Sequence, residues 1–114
     1  MKKREMIKTH QEFSEIIGHT KYVKNKDFTI YIRKGKYTYP HFGIAVSKSL
    51  GNAVNRNLYK RRMRQILDEY KKELYQNEDY IIIMKENVKN LSFQEMRNSF
   101  QNLMNKRRDY ENKK

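Results

Sequence analysis

The chain has 114 residues, with 26 Lys and Arg against 13 Asp and Glu, a formal charge of +13. That length builds one domain with one modest core, and so large a surplus points to a polyanionic partner, nucleic acid or an anionic membrane. No apolar run approaches the roughly 18 residues of a membrane span, and zero Cys excludes disulfides, thiolate zinc sites and cysteine nucleophiles.

The opening MKKREMIK has the charge of a signal n-region, but polar THQE follows where an apolar segment would have to stand. A cytosolic chain is expected. THQE reads as a capping box, with Thr9 as cap and Glu12 reaching back. Phe13, Ile16 and Ile17 follow at helical spacing, and Gly18 is a natural stop.

The stretch 21–35 reads as extended chain. Phe28, Ile30 and Ile32 alternate with Thr29, Tyr31 and Arg33. Gly35 and Pro40 mark a loop. FGIAVS then alternates again, Phe42, Ile44 and Val46 against Gly43, Ala45 and Ser47. The bulky face is the expected core. The other combines very small residues with Tyr31 and Arg33. Such a face either leaves room for a ligand to lie close or stands open to water, and the pattern alone allows both.

A second helix is predicted from Gly51–Asn52, with Asn52 as cap, to about Tyr75. DYIIIMK at 79–85 is a short, Ile-rich buried strand following a crossover helix. SFQE at 92–95 is a second capping box. It opens a last helix whose apolar stripe is Phe93, Met96, Phe100, Leu103 and Met104. The basic tail from about 106 is expected to fray. The order αβββαβα describes a single α+β domain over 1–114, a single-layer sheet with helices packed on it.

Charge is unevenly placed. Asp27 is followed by no acid until Asp68, and the forty residues between carry nine Lys or Arg. At roughly 100° per residue, Arg56, Asn57, Lys60, Arg61 and Arg64 fall within an arc of about 140° on the second helix. Tyr59, Met63, Ile66, Tyr70 and Leu74 gather on another arc of about 80°. Arg62 projects toward the apolar side and is expected to snorkel around it. The cationic arc offers guanidinium groups to phosphate oxygens, and the helix N-terminus adds backbone N–H groups and a positive dipole end. Asn52 and Asn57 add donors and acceptors for sugars or bases. An acid here would repel a polyanion and occupy the arginines, which explains the missing acids.

The order K-x-x-G-N-A-V-x-R-N-x-x-K-R-x-x-R is matched in full by Lys48, Gly51, Asn52, Ala53, Val54, Arg56, Asn57, Lys60, Arg61 and Arg64. It resembles the signature of the bacterial ribonuclease P protein family. MKKREMIKTHQEF, GIAVSK and DYIIIMK are also similar to that family, so the resemblance covers nearly the whole chain. It implies an α/β sandwich with a mixed sheet and a left-handed βαβ crossover, an exception to the usual hand. It implies removal of the 5′ leader from precursor tRNA by an endoribonuclease in which a catalytic RNA subunit does the chemistry. Magnesium would be bound mainly by that RNA, with none held tightly by the protein and no catalytic residue in it. The implied partners are the catalytic RNA and precursor tRNA, with no membrane. Lys48, Asn52, Arg56, Asn57, Lys60, Arg61 and Arg64 would meet RNA. Phe13, Ile17, Tyr31 and Lys85 would line a cleft for the leader between the first helix and the open sheet face. The family often carries an aromatic where Ile17 stands.

Two rivals remain: a non-enzymatic RNA-binding protein and a self-sufficient nuclease. His10, His19 and His41 have no metal-ligand spacing and no paired carboxylate, which argues against histidine acid–base catalysis.

Overall fold

The computed structural model describes residues 5–7, 9–19, 21–35, 38–73 and 78–112. Its elements are α1 (His10–His19), β1 (Lys21–Lys24), β2 (Phe28–Lys34), β3 (His41–Val46), α2 (Ala53–Tyr70), β4 (Glu78–Met84) and α3 (Phe93–Asn112). Short 3-10 turns stand at Lys48–Leu50, Lys71–Glu73 and Glu86–Asn90. The αβββαβα order is the predicted one. The sheet runs β1-β2-β4-β3, with β3 parallel to β4 and the other neighbours antiparallel. β4 therefore inserts between β2 and β3, and α2 is the crossover of a parallel β3–α2–β4 unit.

Alternation decides the two faces. Phe28, Ile30, Phe42, Tyr80, Ile82 and Met84 point to one side and are buried against Met63, Ile66 and Leu67 of α2 and Met96, Phe100, Leu103 and Met104 of α3. Each such burial contributes about 1.5–3 kcal/mol. Phe100 packs edge-to-face on both Phe28 and Tyr70. On the other side α1 buries Ile16 against Ile81 and Ile7. Both capping signals are used, though differently. Ser92 and Glu95 exchange hydrogen bonds, 2.9 and 3.1 Å, as a complete box. At α1 the Glu12 N–H bonds Thr9 Oγ1 at 3.2 Å, but the Glu12 carboxylate does not reach back. It lies 4.0 Å from His41 Nδ1.

Two boundaries depart from expectation. The α2 helix ends at Tyr70, not near Tyr75, and tightens into the 3-10 turn at Lys71–Glu73. There the Lys71 ammonium is drawn to the carboxylates of Glu5 and Asp68, at 3.2 and 3.3 Å. Burial depresses the Lys71 pKa, but the two acids outweigh it and hold the group above its ordinary value. Leu74 and Tyr75 lie outside the described residues. The tail expected to fray from about 106 is helical to Asn112. Arg107 anchors it, being buried and donating to Glu78 Oε2 at 2.6 Å.

Candidate nucleic-acid interface

The start of the basic motif is shaped by backbone requirements. Ser47 leaves β3 and its hydroxyl accepts from Ser49 N–H, turning the chain into the 3-10 turn at Lys48–Leu50. Gly51 follows at φ +112°, a conformation that side chains with a Cβ rarely adopt. Asn52 then caps α2, its side chain accepting from Asn55 N–H at 3.0 Å. The first turn of α2 contains no acid. Its N–H groups and dipole present a positive end in the same direction as the motif.

The Lys and Arg that hold a carboxylate among the described residues lie outside the motif. Arg33, Lys71, Lys89, Arg97 and Arg107 each hold a carboxylate, at 2.6–3.2 Å in their shortest contacts. Among the described residues no ion pair reaches Lys48, Arg56, Lys60, Arg61 or Arg64. Lys48, Asn52, Asn57, Arg61 and Arg64 are exposed, and Arg56 and Lys60 half-buried. Arg56 adjoins the core stripe, and its Nε is buried without a hydrogen-bond partner. Arg62 bends over the Tyr59 ring, 6.0 Å from its centroid, which realises the expected snorkel. Met63, Ile66 and Tyr70 of the predicted stripe are buried and Tyr59 packs against the core.

The open sheet face is organised in rows across the strands. In the first, His41, Asp79 and Arg33 are register neighbours. Arg33 Nε donates to Asp79 Oδ2 at 3.0 Å, and His41 Nε2 donates to the Met6 carbonyl at 3.0 Å. Glu12 and Glu15 of α1 reach His41 and Arg33 at 4.0 and 3.7 Å. This polar row fastens α1 to the sheet. The second row is Gly43–Ile81–Tyr31–Tyr22 and the third Ala45–Ile83–Thr29–Lys24. Because β3 and β4 are parallel, both end beside the beginning of the motif: Ser47 N–H bonds the Met84 carbonyl at 3.1 Å. The open sheet face and the basic helix thus meet at one end of the sheet.

The expected cleft residues are only partly brought together. Phe13, half-buried, packs, as Tyr31 does, against the cluster of Ile7, Ile16 and Ile81. Its ring occupies the space above Gly43, so the glycine makes room for the protein's own α1 and not for a ligand. Further along the same face Tyr31, Thr29, Ala45 and Ile83 are half-buried and Ile17 is 40% exposed. Lys85 stands apart: its ammonium donates to the Asn25 carbonyl at 2.7 Å, on the β1–β2 turn. The sequence does not single out Tyr22: 21–35 is one extended run there, and only the register between β1 and β2 sets Tyr22 opposite Tyr31. Period-2 alternation in KYVK was the available signal.

Among the described residues no group of three or more His, Asp and Glu converges as a metal site, and no helix is long and apolar enough to cross a membrane. Among the described residues the buried acids have donors, Glu5 from Lys71, Asp27 from Asn87 and Ser99, and Asp79 Oδ2 from Arg33, while Asp79 Oδ1 is buried without a hydrogen bond.

A helix whose motif cations have no ion pair among the described residues, set at one end of a half-covered sheet face, defines a small, strongly basic α+β protein. The chain belongs to the ribonuclease P family, whose model matches residues 1–108. It is 36% identical over 112 residues to the ribonuclease P protein component of Bacillus pumilus, covering 97% of this chain and 94% of that one. Identity to the corresponding protein of Mycoplasma capricolum is 39% over 94 residues, 82% of this chain and 86% of the other. The fold matches the solved RNase P protein of Staphylococcus aureus with a TM-score of 0.84 at 31% identity, covering 90% of this chain and 94% of that one. The Thermotoga maritima protein matches at 0.80 and 27%, with coverages of 88% and 94%.

Proposed function

We propose that this chain is the protein subunit of a ribonuclease P holoenzyme that removes the 5′ leader from precursor tRNA in the cytoplasm. The α2 face, from Lys48 and Asn52 through Arg56, Asn57, Lys60, Arg61 and Arg64, lies against the catalytic RNA. The cleft beside Phe13, Ile17 and Tyr31 holds the single-stranded leader. Lys85 acts at the cleft's end through its hold on the β1–β2 turn. The RNA carries the chemistry and the magnesium. No step is assigned to a metal on this chain. The observation that carries the reading is that among the described residues the cations of the motif lack carboxylate partners, while Arg33, Lys71, Lys89, Arg97 and Arg107 outside it each hold one. Phosphates supply the absent counter-charge.

The test is cleavage of precursor tRNA by the protein alone, by the catalytic RNA of a bacterial ribonuclease P alone, and by both. Stimulation seen only with both, at low magnesium, is the expected result. Cleavage by the protein alone would establish a self-sufficient nuclease. RNA binding without stimulation would leave a non-enzymatic RNA-binding protein.

A further inference from the structure

Three large apolar side chains are exposed among the described residues: Ile17, Tyr22 and Val54. Ile17 belongs to the cleft and Val54 to the first turn of the basic helix. Tyr22 has no place in either, yet 53% of its surface meets solvent. An exposed cross-strand pairing with Tyr31 would contribute only modestly to stability.

Its position suggests more. Tyr22 is the outermost member of the row Gly43–Ile81–Tyr31–Tyr22, which crosses all four strands. Phe13 closes the inner end of that row over Gly43. The Tyr22 and Tyr31 ring centroids are 5.6 Å apart at an interplanar angle of 46°. The rings are side by side and tilted, so Tyr31 does not cover Tyr22 as a flat stack would. Lys24, two residues on and hence on the same face, is exposed and opposes Thr29. Among the described residues it has no ion pair. β1 is an edge strand, so a chain leaving the cleft across it meets no further element of the sheet.

We infer that Tyr22 carries the single-strand track one base beyond Tyr31, with Lys24 meeting the adjoining phosphate. The inference rests on the leader-cleft reading above. An aromatic ring stacks on any base, so the added contact is sensed as leader length and not as leader sequence.

The experiment uses holoenzyme assembled from the full chain and the catalytic RNA. Its affinity is measured for precursor tRNAs with leaders stepped one nucleotide at a time, and for mature tRNA. With wild-type protein, affinity rises with leader length and levels off. Tyr22→Leu should level off one nucleotide sooner and lose about fivefold or more on the longest leaders, with mature tRNA unchanged. Tyr22→Phe should follow wild type, because the ring is kept. Lys24→Gln should lose a smaller factor that shrinks as salt rises. Tyr31→Ala is the control for the cleft itself. If Tyr31→Ala loses affinity with leader length while Tyr22→Leu follows wild type throughout, the extension is wrong and the cleft stands. If Tyr31→Ala shows no leader dependence, the cleft reading is wrong. Equal losses by Tyr22→Leu on leader-bearing and mature tRNA would make Tyr22 a support of the fold and overturn the inference.

Discussion

The Phe13 ring rests on Gly43: a Cβ built on that glycine would lie 2.6 Å from Phe13 Cζ and 3.0 Å from Ile81 Cδ1. α1 and the sheet approach this closely only because one residue lacks a side chain. Gly43→Ala should therefore push Phe13 outward and destabilise the protein by about 1–3 kcal/mol through overpacking. Urea unfolding measures the first effect. Holoenzyme affinity for leader-bearing against mature tRNA measures the displacement of Phe13 in the cleft, where a leader-specific loss is expected. Unchanged values in both would mean that the ring has room to retreat and that the contact governs neither stability nor binding.

Arg61 and Arg64 are exposed on α2, and neither has an ion pair among the described residues. Replacing either by alanine should weaken assembly with the catalytic RNA by about 1–3 kcal/mol, the worth of a lost charge-assisted contact. The slope of log affinity against log salt should flatten by about 0.7–0.9 for each phosphate contact removed. Far-UV circular dichroism should keep its helical signal, because alanine is a good helix former. A mutant that loses its fold, or keeps the wild-type salt slope, would count against an RNA contact at that residue.

Arg107 and Glu78 form a 2.6 Å ion pair with side chains only 9% and 15% exposed. Glu78 also accepts from the Tyr80 hydroxyl at 2.9 Å. Arg107→Ala would strand the carboxylate in a half-dry site, so a loss of about 3 kcal/mol is expected. Denaturant titration checks it. A loss below about 0.5 kcal/mol, the range of an ordinary surface change, would restore the picture of a frayed tail.

Tyr80 is buried in the sheet, and burial together with the neighbouring Glu78 pushes its pKa well above the ordinary tyrosine value, against a smaller opposing pull from Arg107. A raised folded-state pKa means that the native protein holds the proton more tightly than the unfolded chain. The resulting stability is fully present below about pH 10 and is lost as pH climbs from there toward the folded value. The tyrosinate absorbance assigned to Tyr80, taken as wild type minus Tyr80→Phe, should appear only at higher pH than in the urea-unfolded chain. Coincident titration curves in the two states would show that the phenol is not shielded.

Some of this molecule was legible locally. Asn52 capping α2, Ser92 and Glu95 opening α3, the alternation of Phe28, Ile30 and Ile32, and the separate arcs of α2 all depend on neighbours within about four residues, where side-chain direction follows from helix or strand period. The motif from Lys48 to Arg64 was legible for the same reason, since its members share one helix and the turn before it.

What depended on distant partners was not. The chain order alone could not show that Glu12 would turn toward His41 and away from its own helix end, or that Phe13 would fill the hollow over Gly43. The anchoring of Lys85 at Asn25, 60 positions away, and of Lys71 at Glu5, 66 away, was equally hidden. By itself the sequence determined where the helices begin, which helix face is cationic and that the charge surplus suits a polyanionic partner, because those follow from local geometry and summed charge. Only the tertiary structure decided which cations keep a carboxylate and which do not, and that Tyr22 stands beside Tyr31. Ion pairs and strand register join residues that are close only after the chain has folded.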